Sequence, residues 1–185
     1  MLDQDDQQVL LRMARQALMA RVHGQSPPPV ERGGALNQPL GAFVTLHRRG
    51  ELRGCLGRVG VEAPLSETIV DLAAIVADSD PRFEEVSPHE LADIEIEISV
   101  LTPEEEVKSV EEIEVGRHGL IVEQGYRRGL LLPQVATEHG WNATTFLEHA
   151  CRKAMLPPDA WRNGATIFTF EAQVFAERRP EIPED

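Results

Sequence analysis

The stretch from Leu91 to Leu101 constrains the fold most. Ile94, Ile96, Ile98 and Val100 alternate with Glu95, Glu97 and Ser99. A period of two sends successive side chains to opposite faces of a pleated strand. The isoleucines therefore face a core and the carboxylates a wetter side, which marks a half-buried antiparallel strand. Two hairpins are predicted besides it. In Gly41 to Leu46, the residues Phe43, Val44, Thr45 and Leu46 are β-formers; His47 to Gly50 supplies a turn and Glu51 to Cys55 runs back. Gly119 to Glu123 and Arg128 to Leu132 bracket the turn Gln124 to Arg127, and Pro133 ends that hairpin.

Helical spacing fills the rest. Val9, Leu10, Met13, Ala17 and Val22 recur on one face, with Asp5 or Asp6 as cap and Gly24 as stop. Ser26 to Leu40 holds four prolines and two glycines and reads as a surface loop. From Pro64 to about Asp78 a second helix buries Leu65, Ile69, Leu72, Ala73 and Val76. Pro81 forbids its continuation. Thr102 to Glu106 reads as a short acidic turn or helix with Thr102 as cap. Val135 and Trp141 to Met155 give late helices with Phe146, Leu147, Ala150 and Ala154 inward. Ala165 to Ala176 reads as one final strand, and Pro180 to Asp185 as a loose tail, like residues 1–5. The expected class is α+β: antiparallel hairpins and packed helices in a single domain over residues 1–185, with a smaller lobe as an option.

Chemistry concentrates in Leu52-Arg53-Gly54-Cys55-Leu56-Gly57. Glycines beside a cysteine let a ligand or another backbone approach, and Arg53 favours the thiolate form. The competing reading makes Cys55 a small apolar filler, because cysteine is among the most buried residue types. Arg82, in Asp80-Pro-Arg-Phe83, either aims at an anionic ligand or is a surface charge beside a buried aromatic. Glu97 belongs to a solvated face or, in a cleft, serves as general base. His118, in Gly116-Arg-His-Gly119, either assists a Cys55 thiolate or is an exposed turn residue. His149 and Cys151 are two apart and face different ways on a helix, so no metal site is expected. Gly54 to Gly57 is too short for a dinucleotide-binding glycine motif, and no cofactor is expected.

Taken in order, Gly41-Ala-Phe-Val-Thr-Leu46, Leu52-Arg-Gly-Cys-Leu-Gly57, Asp80-Pro-Arg-Phe83, Ile96-Glu-Ile-Ser-Val-Leu101 and Gly129-Leu-Leu-Leu-Pro-Gln-Val135 resemble the AMMECR domain family. Within it they resemble the AmmeMemoRadiSam system protein A group. The likeness runs from about Asp6 to Glu177; Leu56 stands where the family more often carries isoleucine. The resemblance implies a compact α+β body with a smaller lobe. It also implies partnership with a radical S-adenosylmethionine enzyme and a Memo-type, dioxygenase-like protein, and modification of a small molecule or biopolymer.

Charge and cysteine content set limits on these readings. Eighteen Lys and Arg against 31 Asp and Glu leave a net charge of −13, which disfavours non-specific binding to nucleic-acid backbones. Arg48, Arg49, Arg53 and Arg58 nevertheless cluster around the first hairpin. Two cysteines are too few for a disulfide scaffold; a single Cys55–Cys151 bridge is one reading, and two reduced thiols in a cytoplasm is the favoured one. The first eight residues are acidic, without the apolar core of a secretory signal, and no run of about 18 apolar residues could span a membrane. Two functions follow as expectations. One is an enzyme or enzyme-system component: Cys55 is nucleophile or covalent carrier, His118 or Glu97 moves the proton, and Arg53, Gly54, Gly57 and Arg82 bind substrate or steady the thiolate. The other is a non-catalytic module for a nucleotide, nucleic acid or peptide. A third, an adaptor whose motifs only maintain the core, stands behind them.

Overall fold

The structure is a computed structural model that describes residues 2–177, so the expected loose tail at Pro180 to Asp185 lies outside the described residues. The class is α+β. In chain order the strands are β1 (Ala42–Arg48), β2 (Glu51–Arg58), β3 (Ile94–Leu101), β4 (Glu105–Val107), β5 (Gly119–Gln124), β6 (Arg127–Leu131), β7 (Thr166–Phe170) and β8 (Ala172–Ala176). The helices are α1 (Gln4–Val22), α2 (Leu65–Ile75), α3 (Pro133–Glu138) and α4 (Ala143–Lys153). They form two compact units: residues 2–100 with 173–177, and residues 101–172.

The first unit holds a four-stranded sheet in the order β2-β1-β3-β8, with β1 antiparallel to both β2 and β3. The alternation that opened the sequence reading is realised: Ile94, Ile96, Ile98 and Val100 are buried, and Glu95 and Glu97 are half-buried on the other face. The core face packs on Leu10, Met13 and Leu18 of α1 and on Ile69 and Leu72 of α2. The β1–β2 turn is tighter than expected. Strand β1 runs on to Arg48, and Arg49 and Gly50 alone turn the chain at φ 55° and 84°. Positive φ at both central residues matches the right-handed twist of the flanking strands.

Helix α1 also starts earlier than the expected cap. Asp3, not Asp5 or Asp6, is the N-cap, its carboxylate accepting from the Asp6 N–H at 2.9 Å. Leu2 is buried, and its N–H donates to Gln173 Oε1 at 2.9 Å. Residues 2–5 are thus held by capping and burial, a correction to the loose end expected there.

The second unit holds a sheet in the order β4-β7-β5-β6, antiparallel throughout. Its core gathers Leu120 and Val122 from β5, Phe146, Leu147, Ala150 and Cys151 from α4, and Ile167 from β7. Two expectations are corrected here. Glu105 to Val107, expected as an acidic turn or helix, is strand β4, because β7 offers it an open edge. The single final strand is two: β7 completes the second sheet and β8 joins the first, with the break at Glu171.

Candidate functional site

Strand β2 carries Arg53, Cys55 and Gly57 on the face opposite the core, by the same period of two. Gly54 points inward, where an added Cβ would meet the Val76 side chain and carbonyl at 3.3 Å each. Gly57 lies directly across from Phe43, and a Cβ there would fall 2.1 Å from the phenyl ring. Of the two expectations, a ligand or another backbone, Gly54 meets the second at Val76, and Gly57 makes room for a ring of the protein's own.

Cys55 is half-buried and free. It pairs in register with Thr45, whose hydroxyl donates to Cys55 Sγ at 3.3 Å. Thr45 in turn pairs with Glu97 on β3, so thiol, hydroxyl and carboxylate share one cross-strand row. Two strand spacings separate the ends of that row, roughly 10 Å between Cα atoms. Cys55 and Glu97 are therefore brought onto one face. His118 belongs to the second unit, where its Nδ1 accepts from the Glu114 N–H at 3.1 Å.

The backbone of Cys55 is pinned from the loop after α2. Asp80 is buried, and its Oδ2 accepts the Cys55 N–H at 2.9 Å. Arg82 grips the same carboxylate with Nε at 2.9 Å and Nη2 at 2.7 Å, and Nη2 also reaches the Cys55 carbonyl at 3.4 Å. Pro81 holds the turn that lets residues 80 and 82 face each other. Arg82 holds the Asp80 carboxyl well below the usual range; burial opposes this, and the Cys55 N–H adds to it. Asp80 in return raises the Arg82 pKa. The guanidinium stays 56% exposed with its carbon 5.4 Å from the Phe83 ring centroid, so it can also meet a ligand from solvent.

A second clamp sits beside the first. Glu90 is buried and accepts from Arg53 Nε at 2.9 Å, Arg48 Nη1 at 3.0 Å and the Ser87 hydroxyl at 2.8 Å. Arg53 foremost lowers the Glu90 carboxyl to about 2, against the opposing effect of burial. Arg53 also donates to the carbonyls of Glu84 and Glu85, so its charge is spent on this loop rather than offered to the thiol. Arg48, Arg53, Arg82, Phe83, Ser87, His89 and Glu90 line an open groove of about 570 Å³ with Glu84 and Glu85.

Sequence reasoning missed Glu90, Thr45 and the carboxylate role of Asp80. For Glu90 a signal existed, since Ser87-x-x-Glu90 is capping-box spacing and the box forms. For Thr45 the signal was its hairpin register with Cys55. For Asp80 the pairing with Arg82 two residues on was local, while its bond to the Cys55 amide, 25 residues away, had no signal.

These features define an α+β protein of two units with a half-exposed thiol set between hydrogen-bond donors and paired charges. Residues 11–175 match the AMMECR1 family model, and the chain belongs to that family. Protein MK0488 of Methanopyrus kandleri is 44% identical over 97% of this chain and 92% of its own length. A Methanothermobacter thermautotrophicus protein is 44% identical over 95% and 96%. The crystal structure of uncharacterized protein PH0010 from Pyrococcus horikoshii superposes with a TM-score of 0.80 at 39% identity, covering 94% of this chain and 92% of that one.

Proposed function

We propose that the chain is a cysteine-dependent enzyme or enzyme-system component whose working face is the row Cys55–Thr45–Glu97. The carrying observation is the setting of Cys55: a hydroxyl donating to its sulfur, an amide tied to Asp80, and the Arg82 guanidinium at its carbonyl. A hydroxyl bonded to the sulfur holds the thiol in place for attack on an electrophile. Cys55 acts as nucleophile or covalent carrier, Glu97 moves the proton, and Arg82 meets an anionic part of a small-molecule or biopolymer substrate. The setting is cytoplasmic, with both thiols reduced. The partners implied by the sequence resemblance, a radical S-adenosylmethionine enzyme and a Memo-type protein, would supply the chemistry this chain's own residues do not.

A second reading, a binding module for a nucleotide, nucleic acid or peptide, draws on the arginine- and Phe83-lined groove beside the thiol. Alkylation separates the two. Cys151 is fully buried, and burial pushes its thiol pKa up, so iodoacetamide should label Cys55 alone in the native protein. A labelling rate that levels off well below the free-thiol pKa of about 8.5 supports covalent catalysis. A Cys55 that resists labelling until unfolding removes the nucleophile and leaves the binding module.

A further inference from the structure

The second unit carries a surface that the Cys55 site does not use. Tyr126, at the tip of the β5–β6 hairpin, is 92% exposed, and Met155, just past α4, is 81% exposed. The fold explains neither choice. Gly125 supplies the positive φ of the turn, so the next position asks for nothing aromatic. Met155 adopts φ 59°, a left-handed position after a helix where glycine or asparagine fits at lower cost. Burial does not repay the methionine.

Arg127 links the two positions. Arg127 donates from Nη1 to the Met155 carbonyl at 2.9 Å, and its guanidinium carbon lies 5.8 Å from the Tyr126 ring centroid. Behind them the end of α4 rests on Gly129, where a Cβ would fall 2.2 Å from the Ala154 nitrogen. The anchors are therefore presented by rigid backbone, which lowers the entropy lost on binding.

Three cations close to them in the chain are unpaired. Arg127, Arg152 and Lys153 make no ion pair with a carboxylate among the described residues, whereas the neighbouring Arg128 is paired with both Glu104 and Glu123. The dipole of α4 accounts for cations in its last turn. It does not account for Arg127, nor for the two exposed apolar side chains. Tyr, Met and Arg are the residue types enriched in protein interfaces.

We propose that Tyr126, Met155, Arg127, Arg152 and Lys153 form a docking surface for an acidic segment of a partner protein. An apolar side chain of that segment packs on Tyr126 and Met155, and its carboxylates meet the three cations. This surface is independent of the thiol reading.

The test pans displayed random short peptides against the intact protein, then titrates a selected peptide in synthetic form. Selected sequences should be rich in Asp and Glu around an apolar residue, and their binding should weaken with salt. The double variant Tyr126→Ser, Met155→Gly should bind about ten-fold or more weakly, as expected for hot-spot anchors. Its unfolding midpoint should not fall, since Met155→Gly relieves a left-handed position. Lys153→Glu should weaken binding further. Three outcomes overturn the proposal: no enrichment of acidic sequences, peptides that bind the double variant equally, or oligouridine binding that the same double variant abolishes. The last would make the surface a nucleic-acid stacking platform.

Discussion

The two sheets share one packing device and put it to different use. In the first, Gly57 lies across from Phe43; in the second, Gly119 lies across from Phe170, where an added Cβ would sit 2.2 Å from the ring. Each glycine lets a phenyl ring lie flat on the neighbouring strand. Beyond that the regions diverge. The first hairpin presents a half-exposed thiol beside Asp80 and Glu90, the buried carboxylates among the described residues. The second backs onto α4, whose thiol, Cys151, is sealed in an apolar cluster. Strand geometry is thus indifferent to reactivity. What differs is buried charge: among the described residues the buried carboxylates, Asp80 and Glu90, lie in the first unit.

The largest effect expected from this contrast belongs to Glu90→Ala, which strips Arg53 of its carboxylate and leaves Arg48 only Asp93 at 3.8 Å. We expect a loss of about 3 kcal/mol, typical of an uncompensated buried charge, read by urea unfolding and by faster amide exchange in β2. A loss under about 1 kcal/mol would show the clamp to be ornamental. Acid should act on the same group. Its folded pKa of about 2 lies below the ordinary value of 4.5. The stabilisation is therefore full above that ordinary value and fades as pH falls toward 2, where the protection of β2 amides relative to their intrinsic exchange should drop.

Next comes Gly129→Ala, which forces a methyl group into the backbone at Lys153 and Ala154. A cost of about 2–3 kcal/mol is expected in the second unit. Gly57→Ala and Gly119→Ala confront rings rather than backbone, and rings can rotate away, so about 1–2 kcal/mol each is expected. Equal losses at all three glycines would erase the distinction between backbone and side-chain neighbours. Smallest is Thr45→Val, which removes the hydroxyl on Cys55 Sγ. Stability should change by less than about 1 kcal/mol, while Cys55 alkylation at neutral pH slows several-fold. An unchanged rate would mean the hydroxyl does not steady the thiolate.

Much of the fold was legible because it rests on local periodicity. The alternation in β3, the inward face of α2 and the buried residues of α4 are all encoded within a few turns or pleats. The misread segments depended on distant partners. Glu105 and Glu106 look like helix-start residues until β7 offers its edge. Ala165 to Ala176 reads as one strand because nothing local tells that the pairing partner changes at Glu171. The site divides likewise. Cys55 and Arg82 stood out by residue type, whereas the amide of Cys55 finds Asp80 only once the chain has closed on itself.

That change of partner at Glu171 has a consequence for how the chain is made. The first unit is interrupted: its sheet holds β1, β2 and β3 from the early chain and β8 from residues 172–176. During synthesis from the amino terminus, the whole of residues 101–171 must emerge before β8 can join. Until then β3 presents a bare row of amides and carbonyls, the edge on which chains pair wrongly. The second unit can close while the first still waits for its last strand. On the ribosome, the later-made unit is the earlier one finished.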